Sequence, residues 1–156
     1  MNAPMPLPHE LQLEDYVPDD LDLLIPLWRA SFEQGVGIVD PHPLAEQRAY
    51  FLAEVLPGHR VRVARWQGRL AGFCAATPQR VAQLYVAVDR QGLGIGRALL
   101  EEAKVGSVGR LDLYTFARNR GARAFYERQG FVEVERGFEP HWQLEDLRYE
   151  WRAAPA

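Results

Sequence analysis

The sequence predicts an α/β fold, a single domain on one mixed β-sheet flanked by helices. Its 156 residues are 47% apolar and 25% charged, the size and composition of one ordinary globular core. The apolar spacing alternates between strand and helix periods in the order β-α-α-β-β-β-α-β-α-β-β. A glycine-rich turn, Gln91 to Gly96, then sits between an apolar strand and an amphipathic helix, as α/β folds place their ligand-binding turns.

Residues 1–10 read as a flexible tail, since Met1 to His9 holds three prolines and no apolar stretch of the signal-peptide kind. The domain is expected over residues 11–152. Leu11 to Val17 opens as a strand, and Pro18-Asp19-Asp20 offers acidic N-cap chemistry to a helix carrying Leu21, Leu24, Ile25, Trp28 and Phe32 at helical spacing. Pro26 falls inside that pattern and predicts a kink or a regular helix that starts near it. Gly35 to Pro43 reads as a loop, and Ala45 to Leu56 as a second helix stopped by Pro57-Gly58. Arg60 to Arg65 and Leu70 to Ala76 alternate around Gln67-Gly68, a hairpin pattern. Val81 to Val88 is the strand before the glycine turn, and Gly94 to Val105 is the helix after it. Arg110 to Phe116, Asn119 to Gln129, Phe131 to Arg136 and Leu147 to Trp151 follow as strand, helix, strand and strand.

Composition excludes several classes. The net charge is −3 with arginines scattered along the chain, so no basic stripe for nucleic acid forms. Pro26 interrupts the longest apolar run, and no membrane span is expected. A lone cysteine, Cys74, suits a reducing cytoplasm and a structural role. His9, His42, His59 and His141 show no metal-ligand spacing, and no metal is expected. Ser31 and Ser107 lack the Gly-x-Ser-x-Gly elbow of a serine hydrolase.

Glycines at alternate positions before a helix let successive backbone N–H groups face an anion, and the helix dipole adds about half a positive charge there. A P-loop is excluded, because its lysine is missing: Lys104, the only lysine, lies at the far end of the helix. A dinucleotide fingerprint fails too. Its third glycine falls on Arg97, or on Leu99 when counted from Gly94. What remains is Gln-x-x-Gly-x-Gly. Downstream, Asn119, Ala122, Phe125, Tyr126, Gly130 and Phe131 fit Asn-x-x-Ala-x-x-Phe-Tyr-x-x-x-Gly-Phe without a gap. Ala122 and Phe125 read as core. Asn119 and Tyr126, two helical turns apart, fall on one face about 10 Å from each other and can line one groove.

On these two motifs, and on element order from about Leu11 to Trp151, the chain resembles the GNAT superfamily of acyl-CoA N-acyltransferases. The resemblance implies a GNAT-like fold and acetyl transfer from acetyl-CoA to a primary amine of a small-molecule or amino-acid-like acceptor. It implies that Gln91, Gly92, Leu93, Gly94, Ile95, Gly96 and Arg97 hold the pyrophosphate of coenzyme A, and that Arg128 reaches its 3′-phosphate. The strand would splay at a β-bulge at Val86 to Val88, whose backbone bonds the pantetheine arm, with the Val86 N–H at the thioester oxygen and Asn119 on a pantetheine amide. Tyr126 would be the general acid for the departing thiolate, since a phenol with a pKa near 10 is protonated at neutral pH. Family members often carry Glu or His four or six residues before the Val86 position, where this chain has Ala82 and Arg80. Glu33, Asp40, His42, Glu139 and His141, or water chains passing Tyr85, are the alternatives for the base, which stays unassigned. Trp28, Phe32 and the Gly35 to Pro43 loop would wall the acceptor, with Glu139 to Leu144 opposite. The other readings are a non-catalytic acyl-CoA-binding sensor or interaction domain, a protein N-terminal or lysine acetyltransferase, and a nucleotide-binding domain. Monomer and homodimer are both compatible with the chain.

Overall fold

A computed structural model describes residues 10–155. The expected tail falls almost wholly outside the described residues. Glu10 accepts the Gln67 N–H at 2.9 Å and is already tied to the fold. The elements come in the expected order: β1 (Leu11–Asp15), α1 (Leu21–Val36), α2 (Leu44–Tyr50), β2 (Arg60–Trp66), β3 (Arg69–Ala76), β4 (Val81–Val86), α3 (Ile95–Val105), β5 (Arg110–Phe116), α4 (Arg120–Arg128), β6 (Val132–Glu139) and β7 (Leu144–Arg152).

Local chemistry explains the differences at the boundaries. Asp20 does not cap α1 through its side chain. Its carboxylate accepts the Val17 N–H at 3.0 Å and pairs with Arg65 at 2.9 Å, which ends β1 early and turns the chain through Pro18–Asp20. The helix starts before Pro26 and continues unbroken past it, so the apolar face from Leu21 to Trp28 outweighs the N–H that proline lacks. It runs two residues into the expected loop and stops at Gly37, whose φ of 77° suits a glycine C-cap. The second helix widens into a π-turn over Phe51–Val55. Gln67 and Gly68 both take positive φ, 51° and 79°, as a two-residue hairpin turn requires.

The expected single sheet is opened into two. The order β1-β2-β3-β4 makes one antiparallel sheet and β5-β7-β6 another. They meet at one parallel bridge between Arg80 and Asp112, the source of the mixed strand direction. A double hydrogen bond of 2.8 and 2.9 Å from the Arg80 guanidinium to the Asp112 carboxylate clamps that end. It also holds the Asp112 carboxyl below the usual range against the opposing effect of burial. Beyond the bridge β4 and β5 part. The bulge lies at Ala82, because Ala75 pairs with Gln83 and Ala76 with Val81. That corrects the expected position at Val86 to Val88: Val86 ends the strand in regular register, and Val88 starts a 3-10 turn.

Two apolar clusters cover the faces of the first sheet. Leu24, Trp28, Phe51, Val63 and Phe73 join α1 and α2 to one face. Ile95, Leu99, Leu100, Tyr126 and Tyr149 join α3 and α4 to the other. Cys74 is buried in the second cluster, where burial pushes its thiol up to about 12. Gly72 lets β3 and β4 close against this core, since a Cβ there would stand 2.8 Å from the Tyr85 carbonyl oxygen. Gly72→Ala is expected to lower stability by about 2 kcal/mol. Gly58→Ala, where a Cβ meets nothing within 4 Å, should change it little. Urea midpoints of the two variants check this.

Candidate active site

The glycine turn has the form of an anion cradle. Gly92 and Gly94 take φ of 79° and 85°, which side-chain-bearing residues rarely adopt, and Gly94 forms the N-terminal boundary of α3. The backbone N–H groups from Gly92 to Arg97 donate to no described residue, and the ladder resumes with the Ala98 N–H on the Gly94 carbonyl at 3.0 Å. Gly96 has a different reason. A Cβ there would lie 3.3 Å from Phe125, so its absence lets α4 approach.

The cradle opens into a groove of about 610 Å³ between α3 and α4. Of the residues expected to bind the donor, Val86, Gln91, Gly92, Gly94, Ile95, Gly96, Arg97, Asn119 and Arg128 line it, and so does Tyr126. Val88 and Leu93 stand outside the lining. Arg97 and Arg128 are exposed and make no ion pair among the described residues. Gln91 is occupied, its Nε2 donating to Gln34 at 3.2 Å and to the Val86 carbonyl at 3.4 Å.

Strand pairing decides where the polar edge of β4 points. The Ala87 N–H bonds the Ala71 carbonyl at 2.8 Å, and Val86 faces Gly72 one residue along. In an antiparallel ladder the next residue is then a non-bonded pair, so the Val86 N–H and carbonyl face away from β3 into the gap. At Val86 this gap belongs to the groove; further back along β4 it continues as a cleft of about 170 Å³ between β4 and β5, which shares Leu84, Tyr85, Asn119, Ala122 and Tyr126 with the groove.

Tyr126 stands where groove and cleft meet. Its ring is buried, and its hydroxyl bonds no described residue. Among the described residues no buried polar side-chain atom is left unpartnered, so that oxygen is not sealed in the core but opens where groove and cleft meet. Burial pushes the phenol well above its usual pKa, with Tyr85 and Cys74 adding to the effect. Burial likewise pushes Tyr85 up to about 12, opposed by Trp28. Asn119 lies just outside α4 as its N-cap, its Oδ1 accepting the Ala122 N–H at 3.1 Å. Its Nδ2 is 2.7 Å from the space a Cβ at Gly35 would take, so Gly35 makes room for it.

The expected acceptor wall is partly redistributed. Trp28 is buried against Phe51, Phe73 and Tyr85 and belongs to the core. Phe32 does line the cleft, against Phe116 and Trp142. The loop after α1 meets the β6–β7 turn, where His42 stacks on His141 with ring centroids 5.2 Å apart. Most base candidates are occupied in building these loops. Glu33 accepts the Asp40 N–H at 2.6 Å, and Asp40 pairs with Arg29 and His42. Burial pushes the Asp40 carboxyl up, but the His42 N–H, the His42 ring and Arg29 together hold it below the usual range. Glu139 accepts the His141 and Trp142 N–H groups at 3.1 and 2.6 Å. Arg80 is bound to Asp112 and Ala82 is the bulge, so neither supplies a base.

Sequence reasoning missed Arg90, which lines the groove one residue before the glycine motif and was legible there as a loop arginine. It also missed Ser31, Gln34 and Asp146. These reach the site only through tertiary packing of α1 and β7 and carry no local signal. Among the described residues no group of His, Cys, Asp and Glu is placed to hold a metal ion, and no helix is long and apolar enough to cross a membrane.

Residues 57–133 match the acetyltransferase (GNAT) domain. Mycothiol acetyltransferase of Propionibacterium freudenreichii is 32% identical over 171 positions, covering 90% of this chain and 52% of that protein. The chain therefore spans about half the length of the curated relative it matches. A GCN5-related N-acetyltransferase from Rhodopseudomonas palustris superposes with a TM-score of 0.77 at 21% identity, covering 96% of this chain and 99% of that one. The yncA protein of Salmonella typhimurium, solved with its cofactor acetyl-CoA, gives 0.69 at 16% identity, covering 95% and 96%. At such identities these structures show a shared fold.

Proposed function

Because this chain belongs to the GNAT acetyltransferase superfamily, we propose that residues 11–152 form a domain that transfers the acetyl group of acetyl-CoA to a primary amine, by direct attack in a ternary complex. The observation that carries this reading is the run of unpartnered N–H groups from Gly92 to Arg97, opening on a groove that ends at Val86 and Tyr126. Oriented N–H groups at a helix start bind pyrophosphate oxygens, and Arg90, Arg97 and Arg128 along the same groove add charge-assisted contacts. The pantetheine arm lies along the free edge of β4, with Asn119 Nδ2 beside it.

Attack by the amine nitrogen on the thioester carbon places negative charge on the carbonyl oxygen, and the outward Val86 N–H is suited to stabilise it. Collapse of the tetrahedral intermediate breaks the carbon–sulfur bond, the Tyr126 hydroxyl protonates the departing thiolate, and the proton lost by the attacking nitrogen passes to water, from which the Tyr126 hydroxyl is restored. With no side-chain base on β4, the neutral fraction of the amine limits attack, and turnover rises with pH toward the amine's own pKa of about 10.

A small-molecule acceptor fits the roughly 170 Å³ of the cleft, which Phe32 and Val36 of α1 and Glu139 of β6 border. The lone buried Cys74 fits the cytoplasm. The test is release of free CoA thiol from acetyl-CoA across a panel of amines, beside thermal shifts with acetyl-CoA alone. Turnover with a shift is expected. A strong shift without turnover makes the domain an acyl-CoA sensor, and stabilisation by NAD or ATP in place of CoA removes the donor assignment.

A further inference from the structure

The cleft between β4 and β5 is lined unevenly in charge. Phe32, Tyr85, Tyr114 and Phe116 give it aromatic walls, Glu139 and Asp146 give it two carboxylates, and no lysine, arginine or histidine lines it. The carboxylates are not equivalent. Glu139 is engaged by the N–H groups of the β6–β7 turn. Asp146 is half-buried and takes neither a hydrogen bond nor an ion pair from any described residue. The cations nearest in strand register are turned elsewhere: Arg148 to Asp112, Glu135 and Glu150, and Arg136 to Glu133 and Glu145.

Strand register holds Asp146 at this spot. It lies opposite Phe116 on β5 and Gly137 on β6, so all three share one sheet face. A Cβ at Gly137 would stand only 3.0 Å from Asp146 Oδ1, and glycine there leaves the carboxylate its room. A partly desolvated carboxylate without a counter-charge calls for a cation, and aromatic walls attract one too.

Resting on the acetyl-transfer reading above, we infer that Asp146 is a specificity residue for the acceptor. It selects amines that enter as cations, release the ammonium proton to water before attack, and carry no carboxylate near the nitrogen. An α-amino acid would bring its own carboxylate against Asp146 and Glu139, and the repulsion excludes it. The acceptor class is then simple alkyl- or arylalkylamines rather than amino acids.

Matched pairs test this: tyramine and phenethylamine against tyrosine and phenylalanine, each with saturating acetyl-CoA and CoA thiol release as the readout. The amines are expected to exceed their amino acids at least about 10-fold in kcat/KM. Asp146→Asn should raise the amine KM about 10-fold, far more than the acetyl-CoA KM, change kcat little and narrow the gap between amine and amino acid. Gly137→Ala, which keeps the carboxylate but displaces it, should raise the amine KM by a smaller factor. Preference for the amino acids, or an amine KM unmoved by Asp146→Asn, overturns the assignment while acetyl transfer stands. If wild type shows neither a thermal shift with acetyl-CoA nor CoA release with any acceptor, the acetyl-transfer reading fails and the acceptor assignment falls with it.

Discussion

Tyr126→Phe is expected to lower kcat about 100-fold while leaving the acetyl-CoA KM within about 2-fold, the signature of a lost proton donor. Removing one oxygen leaves the ring packed against Phe125, Phe131 and Tyr149, so the groove keeps its shape. A phenol raised by burial is a weak acid for a thiolate of ordinary basicity near 8.5. Burial acts on the thiolate in the same sense, since taking it out of water disfavours the charged form and makes the departing sulfur more basic. The raised phenol also fixes the sign of the pH effect. Tyr126 stays protonated through about pH 9, so kcat shows no alkaline decline from this group below that pH. Turnover of Tyr126→Phe equal to wild type, with an unchanged pH profile, would remove the role.

Much of the fold was legible because local chemistry and periodicity agree. The hairpin at Gln67-Gly68 and the glycine turn before α3 are set by positive φ, which the residue types announce. The opening of the sheet was not legible from periodicity. β4 and β5 carry ordinary strand patterns, and what parts them is a bulge at Ala82 and a single clamp from Arg80 to Asp112, both properties of register. Pro26 predicts a kink or a helix starting near it because the strength of the packing around Leu24, Ile25 and Trp28 is invisible in a window of sequence.

The site divides along the same line. Its donor half rests on backbone, and backbone needs are written in glycines. Gly92 and Gly94 could be named from spacing, whereas the role of Val86 depends on which way a ladder places its N–H. The acceptor half rests on side chains drawn from α1, β5, β6 and β7. The resemblance implies Trp28 as a wall, but its ring packs in the core, and Asp146 falls in no expected element because the last strand is expected to start at Leu147. One residue of strand boundary separates a loop aspartate from one fixed opposite Phe116.

Gly94→Val is expected to raise the acetyl-CoA KM by about 10-fold or more, with kcat at saturating donor largely retained. Two effects of the substitution must be separated. The φ of 85° makes a β-branched residue costly there, by about 1–3 kcal/mol, wherever in the fold it occurs. A Cβ at Gly94 meets nothing within 4 Å, so no protein clash adds to that cost; because Gly94 lines the groove, the added methyls compete for the space the pyrophosphate needs. Gly68 isolates the first effect. It has a φ of 79° and equally open surroundings, but it sits in the β2–β3 turn and lines neither groove nor cleft. Gly68→Val should therefore lower Tm about as much as Gly94→Val and leave the donor KM alone. Comparable Tm losses with a rise in KM confined to Gly94→Val would mark the turn as the pyrophosphate cradle. Donor KM values unchanged in both variants would mean that the positive φ of Gly94 serves only to start α3.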